Sequence, residues 1–246
     1  MKIATWNVNS LSVRLPQVLA WLATNPVDAL CLQELKLTDD KFPHAALQDA
    51  GYHAVAFGQK TYNGVAILTR TPVRDVVRNI PGFDDEQSRV IAATLDTPEG
   101  PLRLLNGYFV NGQEPGSEKF AYKMRWLDAL RGWLCDELTR HPQLVLLGDF
   151  NAYAEEDPMR WLKANGWTDA FAQAGAEAPY SFVYDGQSGR LDHALLDAGL
   201  AGRLRGAAEW HNNADEAALH DYRRGEPGPW RASDHDPLLL GLDLAD

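Results

Sequence analysis

The chain has 246 residues, of which 45% are hydrophobic and 23% are charged, so it can bury a large core and is not a disordered chain. No apolar run approaches the ~18 residues of a membrane span. The net charge of −11 would by itself disfavour nucleic acid, but it is concentrated in residues 146–246, whereas residues 1–145 are nearly balanced. The acidic half is either a solvated face or a cation site surrounded by carboxylates.

Strands are predicted by β-rich apolar runs that are bounded by turn residues. In chain order these runs are "KIATWNV", "DALCLQ", "YHAVAF", "GVAILT", "VIAATLD", "LRLLNGYF", "QLVLLGD", "LDHALLD" and "PLLLGLDL".

Helical periodicity is found at residues 15–23, after Pro43 and, most strongly, at residues 120–139. The apolar face predicted for the last of these helices consists of Met124, Leu127, Leu130 and Leu134. A further short helix is predicted at residues 158–166, with Asp157 as its N-cap.

Many strands with few helices do not fit a regular βαβ alternation, and they favour a sandwich of mixed sheets with helices outside. No linker divides the chain, because the Gly/Pro-rich stretch at residues 223–230 is only long enough for a loop, so we expect a single domain over residues 1–246. The two cysteines, Cys31 and Cys135, both lie in apolar stretches and are predicted to be buried free thiols. Free thiols suit a reducing compartment, and we expect a cytoplasmic, monomeric protein that binds no membrane and has no signal peptide.

Polar side chains recur where the predicted strands end. They are Asn7 and Asn9, Gln33 and Glu34, Tyr108, Asp149 and Asn151, Asp192 and His193, and Asp234, His235 and Asp236. Each has an ordinary structural explanation when taken alone, and His193 in particular is expected to be a satisfied, partly buried histidine. Taken together they predict a site, because ligands bind where loops converge outside the strand ends of layered α/β folds.

The residue types indicate a divalent cation and a phosphodiester. Hard oxygen ligands without a cysteine or histidine cluster favour Mg²⁺ or Mn²⁺ over zinc, and Glu34 with its amide and carboxylate neighbours fits such a site. Hydrolysis also needs an oriented base, for which Asp192 with His235 is the natural pair. Asp149 and Asn151 are two residues apart, so we expect their side chains to point the same way while Phe150 turns into the core.

The stretches "MKIATWNVNSLSVRLPQVLAWL", "PVDALCLQELKLTDDKFP", "GQKTYNGVAILTR" and "LLNGYFVNG" resemble bacterial exonuclease III. The motifs "GDFN", "RLDH" and "SDHDP" carry the pattern of the endonuclease/exonuclease/phosphatase superfamily, the fold of deoxyribonuclease I, to the end of the chain. The resemblance implies a four-layered α/β sandwich of two mixed β-sheets flanked by helices. It also implies a divalent-metal-dependent enzyme that acts on duplex DNA at abasic sites and 3′ ends, in DNA repair.

The resemblance also implies roles for individual residues. Glu34 is similar to the principal metal ligand, with Asn7 beside it and Asp234 as a candidate second ligand. The basic and aromatic set in the first half of the chain favours DNA as the partner. The predicted substrate contacts are Lys36, Arg89 and Lys123, with Phe182 as one wall of the sugar pocket.

Five further residues match catalytic positions of the family. Tyr108 resembles the hydroxyl that contacts the scissile phosphate, and Asn151 the partner that holds this phosphate. Asp149 matches the aspartate that activates water or assists the leaving group. His235 matches the catalytic histidine, and Asp192 its orienting aspartate.

The resemblance is not uniform along the chain. Exonuclease III has a long insertion after the "GDFN" motif that is missing here, and the C-terminal stretches look closer to secreted non-specific nucleases. This change and the charge step suggest a recombined chain. Abasic endonucleases of the family commonly carry an aromatic wall where this chain has Gly189, which predicts looser substrate selection. The alternatives are a non-specific DNA endonuclease, a phosphatase on a small phosphoester and a non-catalytic binding protein.

Overall fold

The computed structural model describes residues 1–177, 179–184, 187–211 and 233–244, and the loop predicted at residues 223–230 lies outside them. In this part of the chain, no helix is both long enough and apolar enough to cross a bilayer.

The strands are, in chain order, β1 (Lys2–Asn7), β2 (Ala29–Gln33), β3 (His53–Phe57), β4 (Val65–Thr69), β5 (Arg74–Arg78), β6 (Val90–Thr97), β7 (Gly100–Tyr108), β8 (Leu144–Asp149), β9 (Thr168–Asp169), β10 (Phe182–Tyr184), β11 (Gln187–Gly189), β12 (Asp192–Leu196), β13 (Leu204–Glu209) and β14 (Leu238–Leu242). All nine predicted strands are present. The five that sequence patterns missed (β5, β9, β10, β11 and β13) are short or only partly buried, so they lack a long apolar run.

The helices are α1 (Leu11–Thr24), α2 (His44–Asp49), α3 (Glu118–Arg140), α4 (Asp157–Ala164), α5 (Ala170–Gln173) and α6 (Ala198–Ala201). A 3₁₀ turn occupies Asp39–Lys41. Helix α3 begins where Ser117 Oγ accepts a hydrogen bond from the Phe120 N–H at 3.1 Å, which satisfies one of the free N–H groups of the first turn.

Three details of the sequence predictions are wrong. Asp157 is the first residue of α4, and Glu156 is its N-cap. Met124 is 51% exposed, because the buried face of α3 runs through the bulkier Trp126 and Trp133. Cys135 is also exposed, on the outer side of the same helix.

The strands form two six-stranded sheets and a separate hairpin of β10 and β11. The first sheet has the order β13-β14-β1-β2-β4-β3 and the second β5-β6-β7-β8-β12-β9. In each sheet one pair is parallel, β1 with β2 and β7 with β8, and the other pairs are antiparallel. Both sheets are therefore mixed, as predicted.

Three buried apolar clusters fill the spaces between four layers. The central cluster joins the inner faces of the two sheets, with Ile3 and Leu104 among its members. Alternate residues of the strands point the other way, where Trp6 packs under α1 and Phe109 packs under α3. The predicted sandwich of two sheets with helices on the outside is confirmed.

A buried polar clamp fixes the two sheets relative to each other. The Asn106 amide of β7 donates hydrogen bonds of 2.8 Å to the carbonyls of Leu32 and Ala66 in the first sheet. It also accepts one of 2.6 Å from Gln33. Leaving such buried groups without partners costs about 1–3 kcal/mol each. Since Glu34 follows Gln33 and Tyr108 follows Asn106 by two residues, the clamp sets the distance between these two side chains.

Candidate active site

The predicted site residues come from strands that end or begin at one edge of the sandwich. β1 and β2 are parallel and pair Asn7 with Gln33, so Glu34 emerges beside Asn7. β7 and β8 are parallel and pair Tyr108 with Asp149. The antiparallel strand β12 starts with Asp192 opposite Asp149.

The last segment closes the same edge, because β14 runs antiparallel to β1 and residues 233–236 precede it. Ser233 anchors this segment by donating a 2.7 Å hydrogen bond to the Asn7 carbonyl. Trp6 Nε1 donates to the His235 carbonyl at 3.0 Å. Both sheets thus contribute side chains to one site.

Asn7 is the link between the two sheets at the site. Its buried amide Nδ2 donates to Glu34 Oε1 and to Asp149 Oδ2, both at 2.9 Å. Its Oδ1 accepts from the Asn9 N–H at 3.0 Å, which fixes the amide orientation. Glu34 lies just beyond β2 at a positive φ of 54°, an uncommon conformation for a non-glycine residue. This turn presents its carboxylate toward Asn7.

A positively charged side chain, Lys36, lies against the Glu34 carboxylate. The Lys36 ammonium is 2.7 Å from Glu34 Oε2 and also donates to Asn9 Oδ1. The Asn9 amide in turn donates to Asp234 Oδ1 at 3.1 Å. Carboxylate and amide oxygens converge here around a positive charge, and such hard oxygen donors are those that Mg²⁺ and Mn²⁺ prefer. The residues present therefore fit a divalent cation that displaces the Lys36 ammonium from Glu34.

The second part of the site is a buried imidazole between two carboxylates. His235 Nδ1 lies 2.6 Å from Asp192 Oδ2, and His235 Nε2 lies 3.8 Å from Asp149 Oδ2. Ser181 holds the Asp192 carboxylate from behind through a 2.7 Å hydrogen bond from its hydroxyl. Asp149, Asp192 and His235 could also be considered as a metal cluster, since their ligand atoms lie within 4.8 Å of one another. Asp192 already occupies one imidazole nitrogen, however, and the softer N-containing set suits Mg²⁺ less well than the oxygens around Glu34.

Burial and charge set the protonation of this cluster. Burial raises the pKa of Asp149 to about 7, against the His235 charge, which lowers it, while the Asp192 charge raises it further. For His235, burial lowers the pKa, but the charges of Asp192 and Asp149 outweigh this and hold the pKa well above its usual value. The imidazole is therefore protonated at neutral pH, and the Asp149 carboxyl is close to the midpoint of its titration.

Tyr108 faces both parts of the site from the end of β7. Burial raises the pKa of its hydroxyl, and the Glu34 and Asp149 charges and a hydrogen bond to Glu34 raise it further, so the phenol stays protonated. The Arg89 guanidinium lies 5.2 Å from the Tyr108 ring centre, and its Nη1 donates to the Tyr108 carbonyl at 3.2 Å. Arg89 also donates hydrogen bonds to Gln87 Oε1, so in this structure its guanidinium is held against Tyr108.

The turn after β8 accounts for the "GDFN" motif. The Asn151 N–H donates to Asp149 Oδ1 at 2.8 Å, and Asn151 takes a positive φ of 45°. Phe150 is fully buried and stacks on Phe109 with ring centres 4.0 Å apart, so it turns into the core as expected. The Asn151 amide donates to the Phe109 carbonyl at 2.9 Å, and Lys123 Nζ donates to the Asn151 carbonyl at 3.2 Å.

Phe182 and Gly189 lie near the His235 imidazole. The Phe182 ring is tilted against His235 at 4.9 Å between ring centres, and Phe182 pairs with Gly189 across the β10–β11 hairpin. Gly189 stands where related enzymes carry an aromatic wall, and the ring of Tyr153 lies beside this position. The looser substrate selection stays a prediction. A Cβ atom at Gly189 would lie 2.5 Å from Tyr153 Cε1, so the Tyr153 ring already fills that space.

Four supporting residues had no assigned role in the sequence analysis. Ser181 holds Asp192, Ser233 anchors the last segment, Asn9 joins Lys36 to Asp234, and Asn106 clamps the sheets. Asn9 was already among the polar residues predicted at the strand ends, and Asn106, which interrupts the apolar run of β7, could have been identified by the same signal. Ser233 is the first residue of the "SDHDP" motif, whereas nothing in the local sequence of Ser181 indicates a function.

A large groove opens beside the site and not above His235. Its volume is about 710 Å³, and it lies between α3 and α4, where Phe120, Met124 and Trp161 are among its lining residues. Lys123 and Phe109 line its near end and both contact Asn151. The polar cluster described above does not line this groove, so volume alone would have misplaced the chemistry.

Comparisons with known proteins agree with this arrangement. The model of the Endonuclease/Exonuclease/phosphatase family matches residues 4–235. Exodeoxyribonuclease III of Haemophilus influenzae is 29% identical, with 97% of this chain and 98% of that protein covered. A Neisseria structure described as a 3′ phosphatase bound to product DNA hairpin is 41% identical over 99% of both chains, with a TM-score of 0.86. An AP endonuclease from Archaeoglobus fulgidus is 30% identical, also over 99% of both chains, with a TM-score of 0.84.

These similarities run through residue 148 to the end of the chain, and they give no support to the suggestion of a recombined sequence. With its two-sheet fold, its converging strand ends and its full-length relatives, the chain belongs to the exonuclease III and AP endonuclease branch of the endonuclease/exonuclease/phosphatase family.

Proposed function

We propose that this protein is a divalent-metal-dependent DNA phosphodiesterase of the exodeoxyribonuclease III type, which cleaves duplex DNA at abasic sites and at 3′ ends. The observation that carries the proposal is the continuous set of contacts from Glu34 through Asn7 to Asp149 and on to His235 and Asp192. This set of contacts supports a cation site and an oriented imidazole on opposite sides of the Asp149 carboxylate. The names of the relatives support DNA as the substrate.

Glu34 and Asn7 would hold Mg²⁺ or Mn²⁺, with Asp234 as a further oxygen ligand reached through Asn9. When bound, the ion would neutralise charge on the phosphate. Asn7 must then present its amide oxygen to the ion, and the bonds that Nδ2 now makes to Glu34 and Asp149 would hold the side chain in place.

The chain's own groups supply the remaining chemistry. The protonated Tyr108 hydroxyl would donate to a phosphate oxygen, because its raised pKa keeps the proton available. Asn151 would donate to another phosphate oxygen. The fixed turn around it presents its amide without further ordering, which lowers the entropic cost of catalysis.

His235 and Asp192 act as a positively charged, oriented imidazole that stabilises charge on the phosphate. Asp149, with a pKa of about 7, can exchange a proton with the attacking water or with the leaving oxygen. A divalent cation near Asn7 would favour the ionised form of Asp149 and so its role as a base. Of the predicted substrate contacts, Lys123 lies beside the Asn151 turn and Phe182 beside His235. If a divalent ion replaced the Lys36 ammonium beside Glu34, Lys36 would be free to bind a phosphate oxygen.

We also propose that residues 1–246 act as one domain, because neither sheet contains a complete site. Glu34 and Asn7 belong to the first sheet, whereas Tyr108, Asp149 and Asp192 belong to the second. Separating the two sheets would separate the cation from the imidazole.

A second activity at the same site, removal of a 3′-terminal phosphate, is supported by the description of the Neisseria neighbour as a 3′ phosphatase. In both reactions water replaces an ester oxygen on phosphorus, and the substrates differ in whether the phosphate is an internal diester or a terminal monoester. The same contacts to phosphate would therefore serve it.

The test uses three labelled duplexes that carry an internal abasic site, a recessed 3′ end or a 3′-phosphate, each beside an intact duplex. Cleavage in Mg²⁺ and its loss in EDTA are expected for the first two, and release of phosphate for the third. An unspecific nuclease would cut the intact duplex at a similar rate. A protein that binds these duplexes and releases nothing in Mg²⁺ or Mn²⁺ would show that the proposal is wrong.

A further inference from the structure

The loop that follows Asn151 is held rigidly against the site. Asn151 is fixed through the Asp149 carboxylate and the Phe109 carbonyl. The next residue, Ala152, accepts a 2.9 Å hydrogen bond at its carbonyl from His193 Nε2. Tyr153 then accepts one at its own carbonyl from the Glu156 N–H at 3.0 Å. The backbone of Tyr153 is therefore placed by bonds on both sides.

The Tyr153 ring lies in the space that a side chain at position 189 would use. Its Cε1 atom is 2.5 Å from the Cβ position built on Gly189, and its Cδ1 and Cζ atoms are 3.3 and 3.4 Å away. Phe182 is directly opposite Gly189 in an antiparallel pair, so the two positions project onto the same face of the hairpin. The Phe182 ring in turn touches His235. Tyr153 therefore lies beside the hairpin position that pairs with Phe182, the residue whose ring contacts the imidazole.

This ring is not part of the core. Tyr153 is 49% exposed, while its neighbours Phe150 and Ala152 are buried. An exposed aromatic ring on a rigid mount is well suited to stack on a sugar or a base, because its binding costs little conformational entropy.

We propose that Tyr153 is a specificity-determining residue, whose ring packs against the nucleoside that adjoins the scissile phosphate. This inference rests on the proposed function, because it assumes that the phosphate lies between His235 and Asn151. The wall of the nucleoside pocket is then supplied by Tyr153 of the turn after β8 together with Phe182 of the β10–β11 hairpin. A Cβ at Gly189 would displace the Tyr153 ring from its position.

The experiment compares the parent with Tyr153→Ala and the matched control Tyr153→Phe. Kd is measured by fluorescence anisotropy in EDTA, and kcat and KM are measured in Mg²⁺, on the recessed-3′-end and abasic duplexes at one salt concentration. The loss of one stacking contact should raise Kd and KM of Tyr153→Ala by about 10- to 100-fold. Its kcat should stay close to that of the parent, whereas a disordered site would lower kcat. Tyr153→Phe should match the parent, because the ring and not the hydroxyl makes the contact.

Two further variants test the packing against Gly189. Gly189→Trp alone should lower Tm and raise KM, since two large rings cannot share the space. Tyr153→Ala with Gly189→Trp should recover Tm and part of the lost affinity.

Three results would overturn the inference: a parental Kd and KM for Tyr153→Ala, a Tyr153→Phe variant as weak as Tyr153→Ala, or a Gly189→Trp variant with parental Tm and KM. If the parent binds duplex DNA without cleaving it, and Tyr153→Ala weakens that binding, then the proposed function fails and the role of Tyr153 stands.

Discussion

The chain contains two Asp-His pairs, Asp192-His193 and Asp234-His235, and the structure uses them in opposite ways. Both histidines are buried, at 0% and 5% exposure. Burial lowers the pKa of His193 to about 4, and the nearby Arg190 charge lowers it further, so the ring is neutral. Its Nε2–H group donates to the Ala152 carbonyl. His235 has carboxylates on both sides and is held in the charged form.

The difference arises from the elements that face each ring, and not from the dipeptide. In the first pair the aspartate points into the site and the histidine points away, because neighbouring residues of a strand project to opposite faces. In the second pair the histidine points into the site, and Asp234 lies toward Asn9. One residue from each pair therefore combines to make the Asp192–His235 unit.

The largest expected effect is a difference in kcat between variants of the two histidines. His235→Ala should lower kcat on the abasic duplex by roughly 10²–10³-fold, the usual cost of removing one group that stabilises charge in the transition state. His193→Gln should leave kcat close to the parent, because an amide can still donate to the Ala152 carbonyl.

Circular dichroism and Tm of both variants serve as the control for folding. His235→Asn provides a second variant with a smaller change in shape. Equal losses of kcat in His193→Gln and His235→Ala would remove the distinction between the two rings.

The second prediction is that Asp192 and His235 act as one unit, so that their substitutions do not have independent effects on kcat/KM. Groups that act together are non-additive, so the double variant Asp192→Asn/His235→Ala should be little slower than His235→Ala alone. The measurement is kcat/KM of the parent, the two single variants and the double variant on one duplex. Losses that multiply would show that the two residues act separately.

The smallest effect concerns stability and pH. The pKa of His193 is about 4 in the folded protein, below its ordinary value of 6.5. Between pH 4 and 6.5 the unfolded chain therefore binds one proton more than the folded protein. The free energy of unfolding is not reduced by this histidine above pH 6.5, and it decreases as the pH falls toward 4. The loss of stability is on the order of 3 kcal/mol. Urea unfolding at several pH values should show this loss in the parent and a weaker pH dependence in His193→Gln. An unchanged pH dependence in the variant would contradict the assignment.

The sequence predicted the fold class well. Strands such as β1, β4 and β8 are buried on both faces, so each appears in the sequence as a long apolar run that can be identified without knowing which strand it pairs with. Residues at the ends of these runs were predicted as site residues for the same reason, and Asn7, Glu34, Tyr108 and Asp149 do converge at one edge.

What sequence reasoning could not supply is the contact between segments far apart in the chain. Tyr153 fills the space over Gly189 from another element, and Ser181 reaches Asp192 across a loop. Arg89, expected at the DNA surface, is almost fully buried under Tyr108. Each of these depends on packing between elements, which leaves no periodic signal.

We propose that a cation held by Glu34 and an imidazole held by Asp192 act on the same phosphate. The most direct measurement is the single-turnover cleavage rate of an abasic duplex by the parent, Glu34→Gln and His235→Ala in Mg²⁺, with duplex affinity measured in EDTA. Both variants should bind the duplex nearly as tightly as the parent and cleave it at least about 100-fold more slowly. Parental cleavage by either variant would contradict the claim.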